Sequence, residues 1–543
     1  MIGPTRHSSW SAALALRHGS RWILALLALH LVLVLPDYPD SAGWAAWIRV
    51  PVELPIAVLI LLMWPLLQWS AAAGLGLVVL VKFADIASHA SLGRPFHPML
   101  DLHLVGASFE LLAGALGPAG TAALAAATLL AWVLSVIVLY RAVGALRPSP
   151  RLRGRLVAIA AVSTIVVSGI HLAAVHGRMP ALTTAATSEL VGEHLLSIRH
   201  SLADRARFGA ELADDAFTNV PSDRLLARLR GIDVLFVFVE SYGRSTLERQ
   251  PYASIVQGAL ADFERAVEVA GFGVRSAWMT APIRGGQSWL AHATLLSGLK
   301  IDDQRRYESL VVSERQTLVA DFRRAGWRTL AVLPANRRPW PEGRFYGFDR
   351  VYAAKDLGYA GESFDWITMP DQYTLSALER LELDRRDRPP IMATVALISS
   401  HAPWTPLPPL LDWEAMGYGA VFTRELRSGD APAVVWLDPE RVRAQYLRSI
   451  GYVLRTIQSW LVARGRDNEL FVVVGDHQPA RIISGDDTSF EVPIHLLARD
   501  SRLLDAIAGP DWSRGMRPDP EAPTWPMEAI RGRFLEVFTV PAL

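Results

Sequence analysis

Glu240 stands at the end of the apolar run "VLFVFVE" (234–240), and Asp476 and His477 end a second run, "LFVVVGDH" (470–477). A third, "IMATVALISSH" (391–401), ends at His401. Carboxylates and imidazoles are the ligands of divalent ions that accept oxygen and nitrogen together. One acid at the tip of a run reads more simply as a solvated loop acid. An acid, an Asp-His pair and a further His at the ends of three alike runs form a metal-site pattern. A metal needs a group to activate, and "APIRGGQSWLAHATLLSG" (281–298) offers Ser288 where a helical stretch begins behind Gly285 and Gly286. The free N–H groups and positive dipole end at such a place suit a phosphorylated serine. An ordinary N-cap serine sits in the same place, and this stretch alone leaves both readings open.

Positioning these groups requires a sheet. Short continuous runs rich in Val and Phe are strands buried on both faces, as in parallel sheets. "RTLAVLP" (328–334) is another, and helical stretches such as "QTLVADFRRAG" and "RAQYLRSIGYVLRTIQSWLVARG" lie between the runs. This alternation predicts an α/β domain, a mostly parallel sheet sandwiched by helices. Ligand sites in such sheets lie just beyond the carboxyl ends of the strands, where Glu240, His401, Asp476 and His477 fall. His495, inside the apolar "VPIHLLARD" rather than at its end, reads as structural.

The 543 residues are 51% hydrophobic and 20% charged, with a mean hydropathy of +0.23. That is too apolar for an ordinary soluble enzyme of this length and implies a membrane portion. A net charge of +1 argues against nucleic-acid binding, which needs a basic excess. The absence of cysteine removes disulfides, thiol nucleophiles and Cys-ligated zinc together. Apolar stretches at 22–35, 51–67, 71–87, 121–140 and 156–175 predict a bundle of about five transmembrane helices. The first, preceded by Arg6, Arg17 and Arg21, lacks a small-residue cleavage site and reads as a retained helix. Arg141, Arg147, Arg151, Arg153 and Arg155 crowd one loop, whereas loops 36–50 and 88–120 hold only Arg49 and Arg94. By the positive-inside rule the N-terminus and the Arg-rich loop are cytoplasmic, and five crossings place everything after residue 176 outside. Lys82 and Asp85, three residues apart in the third stretch, are either functional or a mutually neutralising pair.

Mixed charge at helical spacing through 177–230 predicts an amphipathic helical linker. The expected division is therefore 1–176 transmembrane, 177–230 linker and 231–543 catalytic.

"FVFVESYG", "RGGQSWLAHATLLSG", "LISSHAPW", "FYGFDRVY" and "VVVGDHQP", in this order behind about five spans, resemble the membrane-anchored transferases of the alkaline phosphatase and sulfatase superfamily. Lipoteichoic acid synthases and periplasmic phosphoglycerol or phosphoethanolamine transferases share this layout. The motifs cover 231 to about 500, with Asp476-His477 the most specific element. The resemblance implies that Glu240, Ser288, Asp476 and His477 hold one divalent ion (Mn, Zn or Mg), that Ser288 is the nucleophile, and that His401 touches the phosphoryl group. It also implies a phospholipid donor, an envelope glycan or lipid acceptor, and a multi-pass protein of the bacterial inner membrane with its catalytic domain periplasmic or extracellular. Ser288 replaces the usual Thr, and both offer a hydroxyl that metal coordination can deprotonate. The second ligand group of two-metal phosphatases is not evident. The family's substrate-reading segment maps poorly onto "LPANRRPWPEGRFYGFD", where Arg337, Arg338 and Trp340 could contact a phosphate or headgroup. A hydrolase of the same fold, or a catalytically silent membrane module, are the alternatives. Formylglycine sulfatase chemistry is disfavoured, since Ser288 lacks the Pro and Arg that follow the modified residue there.

Overall fold

The computed structural model describes residues 6–540 apart from 39–42, 93, 99, 103, 339, 365–366, 427–429, 486, 488 and 510; the side chains of 6–18, and hence Arg6 and Arg17, lie outside the description. The chain forms two compact units, one of Met1–Ala90, Arg94–Val105 and Gly117–Leu202, the other of Ser91–Gly93, Gly106–Leu116 and Ala203–Leu543.

Helices α1 (Arg6–Val34), α2 (Glu53–Met63), α3 (Gln68–Leu92), α4 (Leu104–Ala145), α5 (Pro150–Val175) and α6 (Ala186–Ala213) make up the N-terminal region. Among the described residues three stretches are long and apolar enough to cross a membrane: Pro65–Ser91, Leu116–Ala145 and Pro150–Val175. This corrects the expected five. The other two apolar helices, Gly19–Val34 and Glu53–Met63, are shorter. At 1.5 Å per residue an 11-residue helix covers about half of a bilayer's hydrocarbon core. Trp64 leaves the helical conformation ahead of Pro65, so the apolar run from 51 to 67 is not one helix. Gly117, at φ 74°, breaks α4 ahead of Pro118.

Lys82 is fully buried, and it does not pair with Asp85. Its Nζ donates to the carbonyls of Leu33 (2.9 Å), Leu35 (2.8 Å) and Val32 (3.3 Å) and to Thr187 Oγ1 (3.2 Å). A cation thus caps the carboxyl end of α1, where carbonyls lack helical partners and the dipole is negative. Asp85 accepts from Phe96 N (2.8 Å) and His194 Nε2 (3.1 Å).

The second unit is built on a nine-stranded sheet. Its strands are β1 (Asp233–Val239), β2 (Gly273–Thr280), β3 (Arg328–Leu333), β4 (Arg350–Ala353), β5 (Ile391–Leu397), β6 (Glu469–Gly475), β7 (Glu491–Ala498), β8 (Ser513–Arg514) and β9 (Thr524–Pro526). Their order is β8-β2-β7-β6-β1-β5-β3-β4, with β9 beside β2. Pairs β6-β1, β1-β5, β5-β3 and β3-β4 are parallel, and β7 runs antiparallel to both β6 and β2. Every residue of β1 is buried. Leu235, Val237 and Val239 enter one hydrophobic cluster, and Val234, Phe236 and Phe238 enter the other. An unbroken apolar run therefore means a strand with helices on both faces. Helices α7 (Tyr252–Val269) and α10 (Pro439–Arg464) cover the first face, burying Val256, Leu260, Phe263 and Val267 from one and Tyr446, Ile450, Val453, Ile457 and Trp460 from the other. Spacings of three and four residues make those apolar stripes.

Candidate metal centre and nucleophile

Strands β6, β1 and β5 are neighbours in the sheet, so the residues that follow them share one edge. Glu240 follows β1, Asp476 and His477 follow β6, and His401 lies four residues beyond β5. Donor atoms of Glu240, Asp476 and His477 all lie within 4.8 Å of one another, and all three residues are buried. Ser288 joins them from the first residue of α8 (Ser288–Ser297). Its Oγ donates to Glu240 Oε2 at 2.8 Å and lies 3.1 Å from His477 Nε2. The N-cap position belongs to Gln287, whose side chain makes no capping bond, so the Ser288 hydroxyl is turned toward the cluster and not spent on the helix.

The donor atoms are presented in a definite way. Asp476 Oδ1 accepts from Ser241 N (2.8 Å) and His477 N (2.7 Å), while Oδ2 lies 3.8 Å from His477 Nε2. One oxygen ties the β1 and β6 turns together and the other faces the centre. His477 Nδ1 is 2.8 Å from the Gln478 carbonyl; donating there leaves the Nε2 lone pair for a metal. Glu240 Oε1 lies 3.2 Å from His477 Nε2, and Ser400 Oγ donates to the Glu240 carbonyl at 2.6 Å.

Backbone strain gathers here. Of the four described non-glycine residues with positive φ, Ser241 (57°) follows Glu240, Gln287 (66°) precedes Ser288, and Trp404 (62°) is three residues from His401. Such conformations cost about 1–3 kcal/mol each and persist where the surroundings over-determine them.

The electrostatics suit a cation. Burial pushes the Glu240 carboxyl up, but the charges of His477 and His401 outweigh it and hold the group well below the usual carboxylate range. Burial and the Glu240 charge raise Asp476. Burial lowers His477, yet the charges of Asp476 and Glu240 carry it up to about 9. Two buried carboxylates beside one imidazole and a hydroxyl fit a divalent ion taking mixed oxygen and nitrogen ligands.

The other sequence candidates are placed differently. His401 is close enough to bear electrostatically on Glu240. Trp340 packs against Tyr346 and Phe348, with ring centroids 5.3 and 6.3 Å away, and is thereby engaged in the second hydrophobic cluster. Arg338 is exposed. His495 is buried between Ser276 Oγ (2.7 Å) and Tyr242 OH (3.2 Å); burial pushes it down to about 3, as suits a neutral structural imidazole.

Two residues near the site were not singled out from sequence. Asp371, fully buried at the start of α9 (Asp371–Leu378), accepts from Ile398 N (2.7 Å) and Ser399 N (3.1 Å) and so shapes the turn that leads to Ser400 and His401. Nothing in "MPDQYT" signals that contact, which is made across the fold. His292, one helical turn after Ser288, stacks on Phe238 with centroids 3.9 Å apart. Its four-residue spacing from Ser288 was the available signal.

The family model Sulfatase matches residues 233–490, the span that contains all these site residues. Similar solved structures include the lipoteichoic acid synthase LtaP from Listeria monocytogenes, 13% identical with a TM-score of 0.34 over 50% of this chain and 67% of that one. The phosphoglycerol transferase GacH of Streptococcus pyogenes, in complex with sn-glycerol-1-phosphate, is 11% identical at 0.37 over 62% and 81%. The phosphonate monoester hydrolase of Agrobacterium radiobacter is 16% identical at 0.35 over 57% and 74%. No curated protein matches the chain.

Proposed function

From the membership of residues 233–490 in the sulfatase and alkaline phosphatase superfamily, we propose that this protein transfers a phospho-headgroup, phosphoglycerol or phosphoethanolamine, from a membrane phospholipid to an envelope glycan or lipid acceptor. The observation that carries the reading is the convergence of the Ser288 hydroxyl on Glu240 and His477, in a chain with three helices, among the described residues, long and apolar enough to cross a membrane. A phosphodiesterase acting on soluble substrates has little need of such helices. An enzyme drawing its donor from the bilayer must keep its nucleophile near the headgroups.

Glu240, Asp476, His477 and the Ser288 oxygen would hold one divalent ion, Mn, Zn or Mg. When bound, such an ion supplies positive charge that lowers the pKa of the Ser288 hydroxyl and offsets charge on the phosphoryl oxygens. Ser288 Oγ, its proton given up to solvent, attacks the donor phosphorus in line, and the bond from phosphorus to the diacylglycerol oxygen breaks. His401 protonates that leaving oxygen. The headgroup phosphate is then esterified to Ser288 until an acceptor hydroxyl attacks the same phosphorus, its proton passing to His401 and the Ser288 oxygen leaving.

For topology, the Arg-rich segment 141–155 joins α4 to α5 and belongs on the cytoplasmic side. An odd number of crossings, three as well as five, puts the N-terminus inside and residues 231–543 outside.

The test uses full-length protein with labelled phosphatidylglycerol and phosphatidylethanolamine in vesicles and a divalent ion. Diacylglycerol should be released and headgroup label should appear on Ser288. Ser288→Ala should abolish both products, and His401→Ala should slow turnover with metal retained. Consumption of simple phosphate or sulfate monoesters with both lipids untouched would establish hydrolysis instead.

A further inference from the structure

Ser288 and His292 are four residues apart on α8, which puts both side chains on one helix face. The same spacing lets two side chains of one helix reach a single ion in zinc-binding H-E-x-x-H helices. The His292 ring packs against Phe238 of β1, two residues before Glu240 in the chain. His292 thus shares a helix face with Ser288 and packs against the strand that leads to Glu240. Its Nε2 is shut off from solvent and has no hydrogen-bond partner among the described residues. A buried polar atom in that condition calls for a water or an ion. Glu240 and His477 lie near enough to act on the imidazole electrostatically.

We propose that His292 Nε2 is a second nitrogen donor to the ion held by Glu240, Ser288, Asp476 and His477, and that it makes the centre select transition-metal ions over Mg²⁺. The proposal rests on the metal reading given above. His292 is not in the set whose donor atoms lie within 4.8 Å of one another, so the ring must shift toward the ion, and it has no hydrogen bond to give up in doing so. Two imidazoles favour zinc, nickel or copper, whereas Mg²⁺ keeps to oxygen and resists added nitrogen.

The test is made on the full-length protein in detergent. With Mn²⁺ bound, pulsed EPR should count two directly coordinated imidazole nitrogens in the wild type and one in His292→Phe. Zn²⁺ affinity by chelator competition should fall about 10- to 100-fold in both His292→Phe and His292→Gln, with Mg²⁺ affinity unchanged. Melting of the metal-free variants separates loss of fold from loss of a ligand. One imidazole in the wild type, or an unaltered Zn²⁺ to Mg²⁺ ratio in folded variants, overturns the proposal. A wild type that binds no divalent ion overturns both this proposal and the metal reading beneath it.

Discussion

Gly475 is the last residue of β6, immediately before Asp476, and replacing it with alanine should open the metal centre proposed above. A Cβ at this position would fall inside the van der Waals envelope of the Tyr242 carbonyl oxygen, 3.0 Å from the Tyr242 carbonyl carbon and 3.2 Å from Val492 Cβ. Carbon and oxygen normally approach no closer than about 3.3 Å, so the β6 end and the Tyr242 turn must part by more than about 1 Å. That turn cannot yield alone. Tyr446 OH donates to the Ser241 carbonyl at 2.8 Å, Tyr242 OH lies 3.2 Å from His495 Nε2, and Asp476 Oδ1 accepts from Ser241 N. The displacement therefore separates Glu240, on one turn, from Asp476 and His477, on the other. Metal–ligand distances tolerate only about ±0.2 Å. Overpacking should cost about 1–3 kcal/mol of stability, and affinity for Zn²⁺ or Mn²⁺ should fall at least about 10-fold, as when a ligand loses its positioning partner. Chelator competition and thermal melting on the detergent-solubilised protein measure the two effects. Gly258→Ala, in α7 with nothing within 4 Å of the added carbon, is the control and should be neutral or slightly stabilising. An unchanged melting temperature in Gly475→Ala would remove the steric premise. A lowered one with metal affinity retained would show that the strain relaxes away from the site.

Asp371 is raised to about 7 by burial, about three units above an unfolded-state Asp. Its protonated form is the one the fold favours, so the stability linked to it is complete below about pH 4 and is lost as pH rises through 7, by up to about 4 kcal/mol. Asp371→Asn keeps an oxygen acceptor for Ile398 N and Ser399 N and should flatten that loss; parallel pH–melting curves for variant and wild type would contradict the assignment. Lys82→Met should destabilise the protein by about 1–3 kcal/mol through carbonyls left without a donor at the end of α1, read as a lower melting temperature in detergent. A variant as stable as wild type would show that water replaces the ammonium there.

The local pattern of the chain already contained the parts of the site. Val234–Val239 is apolar at every position because both faces of β1 are covered, and a polar residue directly after such a run can only emerge at the sheet edge. Glu240, Asp476 and His477 were legible for that reason, as was the opening of α8 at Ser288. What the chain could not disclose locally is strand order. β6 lies beside β1 although some 230 residues separate them in sequence, and that pairing brings two separate strand tips together. Helix length in the membrane region was likewise misread, because hydropathy registers apolar residues while the backbone break at Trp64 and Pro65 depends on conformation. Asp371 and the use of Trp340 in packing were invisible for the same cause: their partners are remote, and a side chain's role is set by what the fold brings against it. Even Ser288 was ambiguous as sequence, since a serine opening a helix can cap it or face outward. The approach of β1 and β6 gives its hydroxyl a carboxylate acceptor, Glu240 Oε2, better placed than the helix backbone, and only tertiary packing could make that choice.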